Sequence, residues 1–282
     1  MPITLSPRLS FPRLHAGLMW AVAVLALAGC AGPQAVPTSL DIDDSIKAVS
    51  HDSRVRYIVL HYTSTDTKES LRLLAQGRVS THYLITDDAR PRIYRLVEET
   101  QSAWHAGESR WYNQVSLNPV SIGIELVNIG RTDLAHGQVS WEPYSKPQIQ
   151  TLILLLKDLT KRYGIRAENV VGHSDIAPQR KTDPGPLFPW KQLAEAGIGR
   201  WYNEAQAATN WVTLQRQGTP DVAWFQERLA KLGYACPQHG QLDRETQNVL
   251  SAFQMHYRPS NYDGKPDAET GAIIMALLEP QR

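Results

Sequence analysis

A chain of 282 residues, 42% hydrophobic and 20% charged, has the composition of one or two globular domains. Its formal net charge of +1, with no run of like charges, argues against a nucleic-acid footprint, which needs a basic stripe. Eight Trp and eleven Tyr supply flat faces that serve core, interface or sugar rings, and there are only two Cys, Cys30 and Cys236.

Residues 1–15 carry Arg8, Arg13 and His15 and no acid. The apolar stretch 16–28 is short for a membrane span and suits the hydrophobic region of a signal peptide. It ends Leu27-Ala28-Gly29-Cys30, which resembles the bacterial lipoprotein signal. That resemblance implies a cleaved segment 1–29 and lipidation of Cys30. With Ala31 rather than Asp after it, the resemblance also implies retention at the outer membrane, on its periplasmic side. Acyl chains would hold the chain without a spanning helix, and Cys236 would be an unpaired thiol. Residues 30–50 are small, polar and Pro-bearing, then acidic at Asp41, Asp43 and Asp44, and are expected to form a flexible tether.

A β-branched run over 56–63 predicts a strand with His61 at its C-terminal end, where sites on open α/β sheets gather. Leu71, Leu74 and Ala75 give 68–76 helical spacing. Strands are expected over 80–86 and 92–97, separated by a turn at Asp87-Asp88-Ala89-Arg90-Pro91. Trp104 and His105 fall in a long polar loop that runs to Pro119. The run 121–128 is the most strand-like in the chain and places one carboxylate, Glu125, among apolar neighbours, where a charge needs a partner or a purpose. Residues 144–163 predict a long helix (Ile149, Leu152, Ile153, Leu156, Leu159) stopped by Gly164. A short strand, Val170-Val171-Gly172, delivers His173. After a loop rich in Pro and Gly come Lys181 and Asp183, two residues apart; in extended backbone they would face the same side. The expected fold is α/β (α+β): a central mixed sheet flanked by helices, followed by a small three-helix bundle.

An imidazole and a carboxylate are two-thirds of a catalytic zinc triad, which needs three protein ligands and an open position. By itself this spacing is commonplace. Six ordered motifs add to it: Val59-Leu60-His61-Tyr62-Thr63, Ser80-Thr81-His82-Tyr83-Leu84-Ile85, Ala103-Trp104-His105-Ala106-Gly107, residues 121–128, Gly172-His173-Ser174-Asp175-Ile176-Ala177-Pro178 and Lys181-Thr182-Asp183-Pro184-Gly185-Pro186. Together they resemble the zinc-dependent N-acetylmuramoyl-L-alanine amidase family, which is related to phage lysozyme-type amidases and peptidoglycan recognition proteins. The resemblance implies that His61, His173 and Asp183 hold Zn2+. It implies that Glu125 is the catalytic carboxylate and Lys181 the cation that stabilises the oxyanion. His82 and His105 could line the substrate groove, or equally support a ligand from behind. Trp104 and Asn128 are further candidate substrate contacts.

The catalytic domain is expected over 51–205, a linker over 206–220 and a second domain over 221–282. In that second domain Asp221 caps a helix carrying Val222, Phe225, Leu229 and Leu232. Two echoes follow, Gly240-Gln241-Leu242-Asp243-Arg244-Glu245-Thr246 and Gly264-Lys265-Pro266-Asp267-Ala268-Glu269-Thr270, each placing an Asp to cap a helix. With Phe225-Gln226, Leu232-Gly233-Tyr234 and Phe253-Gln254, this region resembles the peptidoglycan-binding domain of wall hydrolases. The expected activity is hydrolysis of the amide between N-acetylmuramic acid and L-alanine in peptidoglycan or (anhydro)muropeptides, in wall turnover or remodelling. The alternatives are a non-catalytic peptidoglycan-binding protein, which retention of all five site residues disfavours, and a zinc carboxypeptidase. The latter's combined pattern, His-x6-Asp followed by a later His-x-His, is absent.

Overall fold

The computed structural model describes Leu40 and residues 42–279, and its contacts divide the chain into two units after His51. The described residues before that point are exposed and form no helix or strand. The expected signal segment 1–29, Cys30 and part of the expected tether lie outside the described residues. Among the described residues no helix is long and apolar enough to cross a membrane.

From Asp52 onward the chain forms β1 (Tyr57–Tyr62), α1 (Thr67–Gln76), β2 (Tyr83–Ile85) and β3 (Ile93–Arg95). Two small hairpins follow on either side of a long strand: β4 (Arg110–Trp111) with β5 (Gln114–Val115), then β6 (Ser121–Leu126), then β7 (Arg131–Asp133) with β8 (Val139–Trp141). The remainder is α2 (Lys146–Tyr163), β9 (Val170–Gly172), α3 (His173–Ile176), α4 (Trp190–Glu195), α5 (Glu204–Gln217), α6 (Val222–Lys231), α7 (Arg244–Tyr257) and α8 (Ala268–Leu278). The main sheet has the order β3-β2-β6-β1-β9, with only β3 antiparallel to its neighbour.

Side-chain alternation gives the two central strands two different faces. Ile58 and Leu60 of β1, with Ile122, Ile124 and Leu126 of β6, pack under α2. That helix answers with Ile149, Leu152, Leu156 and Leu159 at intervals of three and four, all buried. Ser145 caps its first turn by accepting from the Gln148 amide, and Gly164 ends it in the left-handed conformation at φ 61°. The opposite face carries Tyr57, Val59 and His61 beside Ser121, Gly123 and Glu125, paired in that order by the parallel register. This second face holds the chemistry.

The C-terminal helices also build on that second face. Tyr57, Val59, Val171 and Ile176 share one buried cluster with Phe225, Leu229, Phe253, Tyr257 and Ile274. Asp221, Asp243 and Asp267 cap α6, α7 and α8 as expected. The internal echo has a physical basis. Buried Gln226 accepts from the Gly240 amide and donates to Thr246, and Gln254 repeats this with Gly264 and Thr270. Each glutamine thereby satisfies the turn that launches the next helix.

The expected connector 206–220 is largely helix instead: α5 buries Ala207, Asn210 and Leu214, and Leu214 packs against Ala268 and Ala272 of α8. Its apolar residues recur at helical spacing, and a packed partner outweighs the polar look of the segment. We expect Leu152→Ala, which empties a fully buried site between α2 and the sheet, to cost about 2–5 kcal/mol in urea unfolding.

Candidate active site

Three donors converge at the C-terminal ends of the central strands. His61 comes from β1, His173 follows β9 directly, and Asp183 comes from the loop after α3. The His61 and His173 Nδ1 atoms stand 2.9 Å apart, and each lies 3.0 Å from Asp183 Oδ2. All three residues are buried.

The surrounding hydrogen bonds fix where the imidazole protons sit. The Ser121 hydroxyl donates to the Leu117 carbonyl (2.6 Å), so its oxygen accepts from His105 Nε2 (3.0 Å). His105 Nδ1 is then the acceptor for His61 Nε2 at 3.0 Å. Consequently His61 Nδ1 carries a lone pair rather than a proton. His173 Nε2 donates to the Ala106 carbonyl (3.1 Å), so in the neutral ring the lone pair sits on Nδ1 as well. Two imidazole lone pairs and a carboxylate oxygen therefore face one another with no proton among them. This donor set could hold a divalent metal ion, with the imidazoles kept in tautomer by carbonyl and imidazole partners behind them.

Electrostatics supports that protonation pattern. Burial, helped by the neighbouring His173, pushes His61 down to about 4, and burial holds His105 well below its ordinary value.

Glu125 is the register partner of His61 and leaves the sheet on the same face. Its Oε2 is buried without a hydrogen-bond partner. Burial and the Asp183 charge push it up to about 8, with Lys181 pulling the other way. A cation held by the three donors would pull it back down, favouring the carboxylate form that accepts a proton. The residues open onto a cleft of about 370 Å³ that Trp104, Lys181 and Thr182 also line. Lys181, Thr182 and Asp183 all line it, and a turn begins at Asp183.

Of the remaining candidates, Trp104 is 66% exposed at the mouth of the cleft. His105 supports His61 from behind while also lining the cleft. His82 does not reach it. It is fully buried, accepts from the Gly123 amide at Nδ1 (3.0 Å) and donates from Nε2 to the Gln101 carbonyl (3.2 Å). Asn128 is likewise structural: it donates to Glu142 and Pro143 carbonyls and accepts from the Gly130 amide. Both are polar residues beside a site motif whose backbone needs partners, which sequence alone does not distinguish from substrate contacts. Ser121 and Arg180 went unnoticed in the sequence. The alternation Ser121, Gly123, Glu125 marks Ser121 as lying on the site face. Arg180 donates to the Ala106 and Glu108 carbonyls and so clamps the loop that receives the His173 proton.

Comparison with known proteins agrees with this geometry. Residues 51–186 match the family model for N-acetylmuramoyl-L-alanine amidase, and residues 218–274 match that for a peptidoglycan binding domain. The chain is 46% identical over 269 residues to the N-acetylmuramoyl-L-alanine amidase AmiD of Escherichia coli K12, covering 92% of this chain and 96% of that protein. The crystal structure of AmpDh3 from Pseudomonas aeruginosa superposes with a TM-score of 0.78 at 42% identity, over 85% of this chain and 97% of that one. E. coli AmiD in complex with the substrate anhydro-N-acetylmuramic acid-L-Ala-D-gamma-Glu-L-Lys gives 0.77 at 44% identity, over 84% and 93%.

Two predictions follow from the site's support. A Cβ on Gly123 would stand 2.4 Å from the His105 ring. Gly123→Ala should therefore displace His105, free the His61 tautomer and lower metal affinity by roughly 10–100-fold in chelator competition. The second concerns pH. Burial, with Arg54 adding to it, pushes His82 down to about 4. The unfolded chain takes up that proton first, so the stability His82 contributes is full above about pH 6.5 and is lost as the pH falls towards 4. Unfolding of His82→Gln across that window should show a shallower pH slope than the parent.

Proposed function

The chain belongs to the N-acetylmuramoyl-L-alanine amidase family, and on that premise we propose that His61, His173 and Asp183 hold Zn2+. The enzyme hydrolyses the amide between the lactyl group of N-acetylmuramic acid and L-alanine in peptidoglycan or (anhydro)muropeptides. The observation that carries the reading is the meeting of three proton-free donors beside a buried, unpartnered Glu125 Oε2. Zinc, when bound, supplies a Lewis acid for the carbonyl and lowers the pKa of water towards neutrality.

The chain's own residues supply the rest. Glu125 takes the proton from the attacking water and returns it to the departing L-alanyl nitrogen. Its enclosed oxygen keeps the proton from exchanging with bulk solvent between these steps. The Lys181 ammonium, at the cleft wall, stabilises the negative oxygen of the tetrahedral intermediate, where fixed charge counts for most. His105 and the Ala106 carbonyl hold the two imidazoles in the tautomer that keeps their donor atoms free. Trp104, exposed at the mouth, offers its ring face to the sugar.

The helices over 221–282 are proposed to bind peptidoglycan, supported by the model match over 218–274. We also propose that the chain is anchored through lipid on Cys30 at the periplasmic side of the outer membrane. The basic start, the apolar stretch 16–28 and Leu27-Ala28-Gly29-Cys30-Ala31 support that placement.

Glu125→Gln should retain zinc by metal analysis and lose roughly 10²–10⁴-fold in turnover. Digests of purified sacculi, read by mass spectrometry, should show new L-alanyl amino termini with the parent and none with the variant. Undiminished release by Glu125→Gln would remove Glu125 from the mechanism.

A further inference from the structure

We infer that the C-terminal helices are part of the metal centre: Tyr234 and His256 position the ligand His173 by gripping Asp175. This rests on the zinc site proposed above and concerns residues that none of the cleft chemistry uses.

His173 opens α3, a helix of only four residues, too short to hold its own geometry. Its orientation depends on what ties its ends. One tie is the Ser174 amide, which donates to the Asp183 carbonyl at 2.8 Å and so links two ligand segments. The other is Asp175, whose Oδ2 accepts the Gly172 amide at 2.7 Å, immediately before the ligand. Asp175 is 1% exposed, and a carboxylate that deep needs more than one donor.

The catalytic part of the chain does not supply the others. Tyr234, just past α6, donates its hydroxyl to Asp175 Oδ1 at 2.7 Å. His256, in the last turn of α7, meets Asp175 Oδ2 through Nδ1 at 2.9 Å. Neither donor is free to swing. The His256 ring is stacked between Trp190 (centroids 3.8 Å, 10°) and Tyr257 (4.1 Å, 15°), and Tyr234 is held edge-on by Trp111 at 4.9 Å. Neither residue lines the cleft. Their effect on chemistry can therefore reach it only through Asp175, the Gly172 amide and the placing of His173. Loss of either donor leaves a buried carboxylate short of partners beside a ligand that tolerates little displacement.

The test uses the full-length protein and zinc, with affinity measured by competition against a chromogenic chelator. Tyr234→Phe removes one hydroxyl and should weaken zinc binding tenfold or more. It should lower kcat on a soluble anhydro-muropeptide with KM unchanged, and leave binding to purified sacculi at the parental level. His256→Ala should do the same, and His256→Asn, whose amide N–H stands near the position of Nδ1, should restore most of the affinity. If His256→Ala does not fold, Tyr234→Phe decides. Zinc affinity within twofold of the parent in Tyr234→Phe overturns the inference, as does failure of His256→Asn to recover any of the loss seen in a folded His256→Ala. A parent that binds no zinc, or a His173→Ala variant that binds it as tightly as the parent, overturns the metal site itself.

Discussion

Three lone pairs pointed at one another from about 3 Å are the constraint on which this structure depends. Left alone they repel, and each has lost water to get there. The arrangement is held by protons placed on the far side of each ring. For His61 the line runs through His105 and Ser121 to the Leu117 carbonyl, an acceptor that cannot change its role. A backbone carbonyl thus sets the protonation of a proposed metal ligand three hydrogen bonds away. His173 reaches the same state in one step through the Ala106 carbonyl, itself held by Arg180. Burial adds to this by making the charged form of His61 and His105 costly.

Sheet register makes that placement possible. In β1 and β6 every second residue packs under α2, and the residues between them face the site. A slip of one residue would send His61 and Glu125 into the apolar layer and expose Leu60 and Ile124. The same apolar packing that stabilises the domain therefore fixes which side chains meet at the site. Gly123 belongs to this scheme: the His105 ring comes so close to the strand there that a Cβ would not fit.

Much of this was legible in the sequence because periodicity and motif carry it. The α2 stripe, the caps at Asp221, Asp243 and Asp267, and the strand ending in His61 are local patterns with local causes. The donor triad rested on resemblance, since a His and an Asp in one loop say little alone. What stayed hidden were relations between distant segments. His82 and Asn128 sit in site motifs yet serve backbone groups that only the folded chain brings to them. The segment 206–220 looked like a connector because its partner, α8, lies some 60 residues downstream.

The division into a catalytic domain and an appended binding module fits the sequence better than the packing. One buried cluster runs from Tyr57 and Val59 of the sheet to Phe225, Phe253 and Ile274 of the helices, and it contains no seam of solvent-exposed linker. Asp175, Gln179 and Trp141 each send or receive a hydrogen bond across this boundary, to Tyr234 and His256, to Glu245 and Asn248, and to Tyr262. A module on a flexible linker raises local substrate concentration but leaves the strand free to approach from any side. A module packed into the same core, if it binds wall as proposed, would fix the direction from which that material meets the cleft. It also couples the stability of the His61, His173 and Asp183 cluster to that of the helices, because the apolar surface that seats α6 and α7 lies on the same face of the strand as His61.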